Sequence, residues 1–231
     1  MIEIKKITKV YNGVTVLNVP ELTIKKGESF GLVGNNGAGK TTLFRCLLDL
    51  IRPNTGEVLS SGENVAKSSA WKSHTGSYLD EGFLIDFLTP DEYFQFLANI
   101  NGLSKGDLDD FHASFKEFFS GEILGKKKYI RDLSSGNQKK VGIAAALMAK
   151  PDILILDEPF NSLDPTTQIR LKNLLKVLQK DMNVTMLISS HDLNHVTEVC
   201  GRIVVLHEGE IAHDIQTNSD TLKVLEDYFA I

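Results

Sequence analysis

Short apolar runs separated by turn residues fill the N-terminal part of the chain and predict strands. Asn12-Gly13 and Lys26-Gly27 are the clearest turn signals between them. Runs this close together in sequence are typical of antiparallel hairpins, so we expect an N-terminal antiparallel β subdomain. The predicted strands of this region are Ile2–Ile7, Val14–Val16 and Leu22–Ile24, and a further strand, Ser29–Val33, follows them.

From Phe83 onward the apolar residues recur at three- and four-residue steps, which is the period of an amphipathic helix. Thr89 and Glu92 have the spacing of a capping box, with Pro90 at the first helical position. This helix is expected to end near Ile100. A second helix is predicted by an apolar stripe that we expect to be core: Leu108, Phe111, Phe115 and Phe118.

The remainder of the chain alternates helices with strands. Ile153–Leu156 is a continuous apolar run, typical of a strand buried on both faces, and Val184–Ile188 is another. Asp164 is the expected N-cap of the helix between them. Further predicted elements are a helix over 135–149, a hairpin around Glu208-Gly209-Glu210 and a helix over Leu222–Phe229. Such alternation predicts a mainly parallel sheet with right-handed crossovers.

These elements predict a single α/β domain over residues 1–231, a length that suits one medium-sized core. Within it, residues 1–82 and 151–215 are expected to form the α/β core. Residues 83–150 are expected to form an inserted α-helical subdomain, and 216–231 a C-terminal helix.

The composition argues against several classes of function. The net charge of −5 argues against a protein that coats nucleic acid. Cys46 and Cys200 lie far apart, so we interpret them as small buried residues in helices rather than a redox or metal pair. No run approaches the ~20 apolar residues that cross a bilayer, and no secretory segment is evident. We therefore expect a cytoplasmic protein that reaches a membrane only through a partner.

The segment Gly34–Thr42, GNNGAGKTT, matches the phosphate-binding P-loop, or Walker A, pattern G-x-x-x-x-G-K-[ST]. It lies between a predicted strand and a predicted helix, as that pattern requires. Its glycines let several backbone N–H groups approach one anion, and the helix dipole adds positive potential. Lys40 is suited to the β- and γ-phosphates, Thr41 to Mg²⁺ and Thr42 to the α-phosphate. The predicted nucleotide-binding residues are Gly34, Asn35, Asn36, Gly37, Ala38, Gly39, Lys40, Thr41 and Thr42.

Three polar residues follow the two buried strands. Asp157 and Glu158 come at the end of 153–156, where open α/β sheets bind ligands. In a P-loop enzyme such acids hold Mg²⁺ and orient the attacking water. Adjacent residues on a strand point in opposite directions, so the pair can divide these tasks only beyond the strand's end. His191 follows the next strand and is suited to hydrogen bonding with the γ-phosphate.

Tyr11, on the first predicted turn, has two interpretations from its sequence context: a half-buried hairpin tyrosine, or a ring that stacks on a base.

Taken together, the motifs resemble those of one known family. From about residue 2 to 215 the chain resembles the nucleotide-binding domain of ATP-binding cassette (ABC) transporters. The resemblance rests on Tyr11, GNNGAGKTT at 34–42, LSSGNQKK at 133–140, ILILDEP (Walker B) at 153–159, SLD at 162–164 and His191.

This resemblance implies that Tyr11 stacks on adenine, Asp157 supports Mg²⁺ and Glu158 polarises the hydrolytic water. It also implies that His191 contacts the γ-phosphate. A second copy of the chain, or a homologous ATPase subunit, would complete the site, so that two ATP molecules are held between two subunits. The residues that would address the ATP held by the second copy, or lie at that interface, are Ser134, Gly136, Asn137 and Asp164.

The chain departs from the family pattern at three positions. Ser135 and Asn137 replace the third and fifth residues of the family's LSGGQ signature, so function with altered packing is expected. Glu81 aligns with the family's Q-loop glutamine. Its acidic side chain is suited to Mg²⁺ but adds negative charge near the phosphates, so a metal ligand and a simple hinge are both open interpretations.

The resulting hypothesis is an ATP-hydrolysing ABC transporter subunit with ATP and Mg²⁺ as cofactors. It would dimerise on ATP and drive a separate polytopic permease from the inner face of the cell membrane. A groove beside Glu81–Phe96 would receive a short helix of that permease. The compact chain resembles exporters most, although import is an alternative. The other alternative is a soluble ABC-type clamp in translation, repair or cofactor assembly.

Overall fold

The computed structural model describes residues 1–230, which fold into two sheets and a set of helices. The strands are β1 (Ile2–Tyr11), β2 (Val14–Ile24), β3 (Ser29–Val33), β4 (Thr55–Ser60), β5 (Glu63–Asn64), β6 (Thr75–Tyr78), β7 (Ile153–Leu156), β8 (Thr185–Ser190), β9 (Arg202–His207) and β10 (Glu210–Gln216). The α-helices are α1 (Lys40–Leu47), α2 (Pro90–Ile100), α3 (Lys105–Ser114), α4 (Lys116–Phe119), α5 (Ser135–Leu147), α6 (Pro165–Met182), α7 (Leu193–Val199) and α8 (Thr221–Phe229).

The N-terminal sheet is antiparallel, in the order β2-β1-β4-β5, as the turn signals predict. The prediction of two short strands at 14–16 and 22–24 is wrong, because β2 runs unbroken through both. It pairs along β1 from Ile2 opposite Ile24 to Tyr11 opposite Val14. Polar residues interrupt the apolar pattern of β2, but the long pairing with β1 keeps its backbone extended.

The second sheet has the order β10-β9-β3-β8-β7-β6, and only its β10 edge is antiparallel. The predicted mainly parallel sheet is therefore confirmed. β3, β7 and β8 are buried along their whole lengths. Their register places Val33 beside Ser190 and Leu156 beside Ile188. The carboxyl ends of three central strands consequently meet at one edge of the sheet, where the candidate site lies.

β6 and α7 have no counterpart among the sequence-based predictions. The β6 sequence, TGSY, carries little strand signal, but it pairs with β7. A Cβ at Gly76 would lie 1.9 Å from the Ala146 carbonyl oxygen, so α5 can pack on β6 only because residue 76 is glycine. The short helix α7 follows β8 and is capped by Asp192.

The helices between β6 and β7 pack around a cluster of aromatic rings. Phe94 lies 5.2 Å from Phe111 and 5.7 Å from Phe119, measured between ring centroids. The predicted apolar stripe from Leu108 to Phe118 is buried, as expected for core. The prediction of a single helix for this stripe is wrong, however, because the helix is interrupted at Phe115 and the segment forms α3 and α4.

The residues that were predicted to cap helices do so in the structure. Thr89 and Glu92 form both halves of the predicted capping box, and α2 has the predicted bounds. Asp164 caps α6 as expected. The predicted helix after the P-loop is α1, which starts at Lys40 because the glycine-rich loop turns directly into it. Trp71 is buried and donates its ring N–H to the Val65 carbonyl at 3.1 Å, which gives it a place in the core.

Both cysteines are buried, as predicted, although only Cys46 lies in a helix, since Cys200 follows the end of α7. Burial raises the pKa of Cys46 to about 11 and that of Cys200 to about 12, so both remain neutral thiols at physiological pH. Within residues 1–230, no helix has the length and apolar character needed to cross a membrane.

Candidate nucleotide-binding site

The P-loop leaves β3 at the sheet edge and turns tightly into α1. Two glycines are required for this path. A Cβ at Gly34 would lie 2.3 Å from the Leu206 carbonyl oxygen, and Gly39 has φ +104° as the N-cap of α1. Loop residues 36–39 and the first residues of α1, 40–42, line one concavity. A glycine-rich loop that leads into a helix N-terminus is an arrangement that binds anions.

Lys40 provides the cation of this concavity. The residue is 6% exposed, and its Nζ donates to the Gly34 carbonyl at 2.7 Å. The same Nζ lies 3.5 Å from Oε1 of Glu158. A buried ammonium needs such partners, and here they hold it against the phosphate-binding loop.

Asp157 is fixed on two sides. Thr41 donates its hydroxyl to Oδ2 at 2.5 Å, and Ser189, from the neighbouring strand β8, donates its hydroxyl to Oδ1. Ser189 also accepts the Glu158 backbone N–H at 2.9 Å. Thr41 and Asp157, predicted as metal ligands from separate motifs, are therefore in direct contact.

Glu158 takes the left-handed backbone conformation, with φ +47°. This turn lies beyond the end of β7, as the division of tasks between adjacent acids requires. It lets the Glu158 carboxylate reach the P-loop lysine while Asp157 bonds Thr41. Oε2 of Glu158 lies 3.0 Å from Nδ1 of His191 and also accepts the Asn161 amide N–H at 3.3 Å.

Tyr11 shares a pocket of about 260 Å³ with the P-loop and Glu158. The residue is 44% exposed, and the Lys9 ammonium lies 5.0 Å from the centroid of its ring. Of the two interpretations of Tyr11, this location favours base stacking, because an exposed ring at the mouth of the phosphate pocket offers a flat surface to a nucleotide.

A second group of predicted residues lies elsewhere. Ser134 caps α5 and accepts the Asn137 backbone N–H at 3.3 Å. Both residues line a different concavity, of about 640 Å³, together with the exposed loop 125–128. Asp164 caps α6, and its bonds from the Thr167 hydroxyl and backbone N–H lower its pKa. The described residues that line the P-loop pocket of the same chain include none of the four predicted interface residues, Ser134, Gly136, Asn137 and Asp164.

Glu81 begins a short 3₁₀ turn after β6, at the same sheet edge as Asp157. It does not line the P-loop pocket within the described part of the chain. Burial and then the negative charge of Glu81 raise the pKa of Tyr78, the last residue of β6.

Two residues of the site were missed by the sequence analysis. Ser189 lies two residues before His191 in the sequence, and the pairing of β7 with β8 places it against the two acids. Lys139, in α5, donates from Nζ to the Glu158 carbonyl at 2.9 Å. Burial lowers the pKa of Lys139, and the nearby charges of Glu81, Glu158 and Asp157 oppose that shift. Only strand pairing and helix packing reveal these contacts.

The oxygen atoms of Thr41 and Asp157 suit Mg²⁺, which prefers hard oxygen ligands and keeps several from water and substrate phosphates. Among residues 1–230 no cluster of three or more histidine, cysteine or acidic side chains is arranged to hold a metal. The two donors fit a cation that takes its other ligands from water and a nucleotide.

Comparisons with known proteins agree with this geometry. The family model described as ABC transporter matches residues 17–161. The bacitracin transport ATP-binding protein BcrA of Enterococcus faecalis is 35% identical over 221 residues, covering 93% of this chain and 69% of that protein. The chain belongs to the ABC transporter family.

Other relatives of this ABC protein include the methionine import ATP-binding protein of Carboxydothermus hydrogenoformans, 32% identical over 93% of this chain and 66% of that protein. The dimeric structure of MJ0796, a bacterial ABC transporter cassette, has a TM-score of 0.84 at 26% identity. Its post-hydrolysis dimer, bound to ADP and Pi, has a TM-score of 0.80 at 25% identity. Each comparison covers 95% of this chain and all of that one. The chain is thus an ABC ATPase, the ATP-binding subunit of a transporter.

Proposed function

We propose that this ABC ATPase binds ATP in the P-loop pocket, pairs with a second cassette and drives a separate membrane permease. The observation that carries the proposal is the convergence of Lys40, Thr41, Asp157, Glu158 and His191 at one sheet edge. No simpler role accounts for a buried lysine, a hydroxyl–carboxylate pair and a histidine–carboxylate pair around one anion-binding loop. We assign adenine stacking to Tyr11 and phosphate binding to residues 34–42.

In hydrolysis, Lys40 and the loop N–H groups would hold the β- and γ-phosphates and stabilise the charge that develops there. Glu158 would accept a proton from the attacking water, and its neighbour His191 is near enough to hold the carboxylate in place while bonding the γ-phosphate. When bound, Mg²⁺ would be held by Thr41 and Asp157 and would neutralise phosphate charge.

We place Ser134, Gly136, Asn137 and Asp164 at the interface with the second cassette. The support is that these residues do not line the P-loop pocket of their own chain, while a hydroxyl at a helix N-terminus is well suited to a phosphate. A second copy would bring its own signature helix over the ATP, so that each of two sites contains residues from both subunits.

Replacing Asp157 with asparagine should raise the Mg²⁺ concentration needed for half-maximal ATPase activity by about 10- to 100-fold. The physical reason is the loss of one negative charge next to the proposed cation. The measurement is a Mg²⁺ titration of ATPase rate, with nucleotide binding in EDTA measured in parallel. Asp152→Asn, at the exposed opposite end of β7, is the matched control. An unchanged Mg²⁺ midpoint in Asp157→Asn would remove this residue from the metal site.

A groove of about 430 Å³, lined in part by Leu50, Phe83 and Leu97, is the site that we propose for the permease. It lies between the sheet and helices α2 and α5, beside the predicted region 81–96. Its apolar residues are accessible to a short amphipathic helix of a partner.

Replacing Leu50, which is 47% exposed, with glutamate should reduce recovery of the protein with membrane-derived partners by about tenfold, because a charge would be buried in an apolar interface. The measurement is affinity purification from gently solubilised membranes, scored by the polytopic protein recovered. Val224→Glu, with 50% exposure on α8, is the control. Equal recovery by both variants would place the partner elsewhere.

The same purification tests the wider proposal. Recovery with a polytopic membrane protein supports a transporter subunit held at the inner face of the membrane, whereas recovery with ribosomes or DNA supports a soluble clamp and contradicts the transporter proposal.

For the direction of transport, we propose export. Substrate that accumulates in inside-out vesicles on ATP addition supports export, and accumulation in right-side-out vesicles would reverse the assignment.

A further inference from the structure

Helix α5 rests on the turn that follows Glu158 through two residues on one helical face. Gly136 and Lys139 are three residues apart and therefore neighbours on the helix surface. A Cβ at Gly136 would lie 2.6 Å from the Ser162 carbonyl oxygen, so the helix approaches that turn as closely as glycine allows. One turn further along, Lys139 bonds the Glu158 carbonyl at 2.9 Å.

The Lys139 side chain is a buried cation, with 6% exposure. Its Nζ lies 6.0 Å from the centroid of the Tyr78 ring, and the carboxylates around it are those of Glu81, Glu158 and Asp157. Burying an ammonium is costly unless charge and hydrogen bonds compensate. Here its hydrogen bond goes to a backbone carbonyl of the site, and the surrounding acids supply the negative charge.

The residue whose carbonyl it bonds has an unusual backbone. The left-handed φ of Glu158 is uncommon for a residue other than glycine and persists only where surrounding contacts hold it. The same carbonyl accepts the Asn161 N–H at 3.4 Å, which closes the turn, while the Glu158 N–H bonds Ser189. Lys139 therefore holds the peptide group that follows the Glu158 Cα, and Ser189 holds the one that precedes it.

We propose that Lys139 is a positioning residue for ATP hydrolysis: its ammonium holds the Glu158 carbonyl and so keeps the Glu158 carboxylate directed at the phosphate site. This inference rests on the proposed role of Glu158. Lys139 also connects the hydrolytic site to the dimer interface, because it lies on the same helix as Ser134 and Gly136, which we place against the partner's ATP. A shift of α5 on dimerisation would reach Glu158 through this bond.

The test compares Lys139→Met with Lys140→Met. Lys140 is the next residue of α5 and is also buried, with 3% exposure, but it bonds Glu122 at 3.0 Å instead of the site. Lys139→Met should lower kcat about 10- to 100-fold, the loss expected when a catalytic group is slightly misplaced, while KM for ATP changes less than about twofold. Lys140→Met should lower thermal stability and leave kcat near wild type. Equal kcat in wild type and Lys139→Met, or equal kcat losses in both variants, would overturn the proposal.

A second readout needs no ATPase activity and so separates this inference from the proposed function. Hydrogen–deuterium exchange of the nucleotide-free protein should be faster across 157–163 in Lys139→Met than in wild type or Lys140→Met. Lys139→Gln, which is neutral and shorter, should show the same direction of change if the methionine variant folds poorly. Unchanged exchange in this segment contradicts the positioning role, whereas absence of ATPase activity in wild type would contradict the proposed function.

Discussion

Replacing Lys40 with alanine should weaken ATP binding by about 100-fold, close to 2.8 kcal/mol in binding free energy. The ammonium is buried beside the P-loop carbonyls, where hydrogen bonds to a charged group are strong because water does not screen them. Alanine removes that charge and leaves the loop amides alone to hold the triphosphate. The measurement is equilibrium titration of the purified protein with a fluorescent ATP analogue.

Lys26→Ala, an exposed lysine in the turn before β3, is the control and should bind ATP like wild type. Circular dichroism and thermal unfolding of the nucleotide-free variants check that the fold is retained. If folded Lys40→Ala binds ATP within about threefold of wild type, the P-loop is not the triphosphate site.

Replacing Glu158 with glutamine should reduce kcat for ATP hydrolysis by about 1,000-fold, within the range that general-base catalysis supplies. The amide keeps the size of the side chain and removes its capacity to take a proton. ATP affinity should stay near wild type, because the loop is unchanged and Lys40 keeps its hydrogen bond to the Gly34 carbonyl. Single-turnover hydrolysis of radiolabelled ATP measures the loss directly.

The matched control is Glu226→Gln, an exposed glutamate on α8, which should hydrolyse ATP normally. Wild-type turnover in Glu158→Gln would show that another group activates the water, and the assignments of His191 and Lys139 would have to be made again around that group.

Elements with local signals could be predicted from the sequence. The capping box of α2, the apolar run of β7 and the N-cap of α6 depend on residues close together in the chain, and all three occur as predicted. β6 and the break at Phe115 depend on tertiary contacts. The first is set by pairing with β7, and the second by the packing of the aromatic cluster. Neither leaves a pattern in the sequence.

The candidate site divides in the same way. Lys40 and Thr41 could be placed because the P-loop is a continuous motif, and Asp157 and Glu158 because they end a buried strand. The contacts of Ser189 and Lys139 with these acids join different strands and helices, so no spacing in the sequence predicts these contacts. The left-handed turn at Glu158 likewise appears only in the structure. The roles of Ser134, Gly136, Asn137 and Asp164 stay predictions, since they concern a second chain.

The most direct test of the central claim, that bound triphosphate is enclosed between two cassettes, is the solution mass of Glu158→Gln with and without ATP. Multi-angle light scattering should give 25.6 kDa without nucleotide and about twice that mass with saturating ATP and Mg²⁺. Adding Ser134→Arg should abolish the change by blocking the interface, with ATP binding retained. A mass that stays at 25.6 kDa while ATP is demonstrably bound would contradict the account.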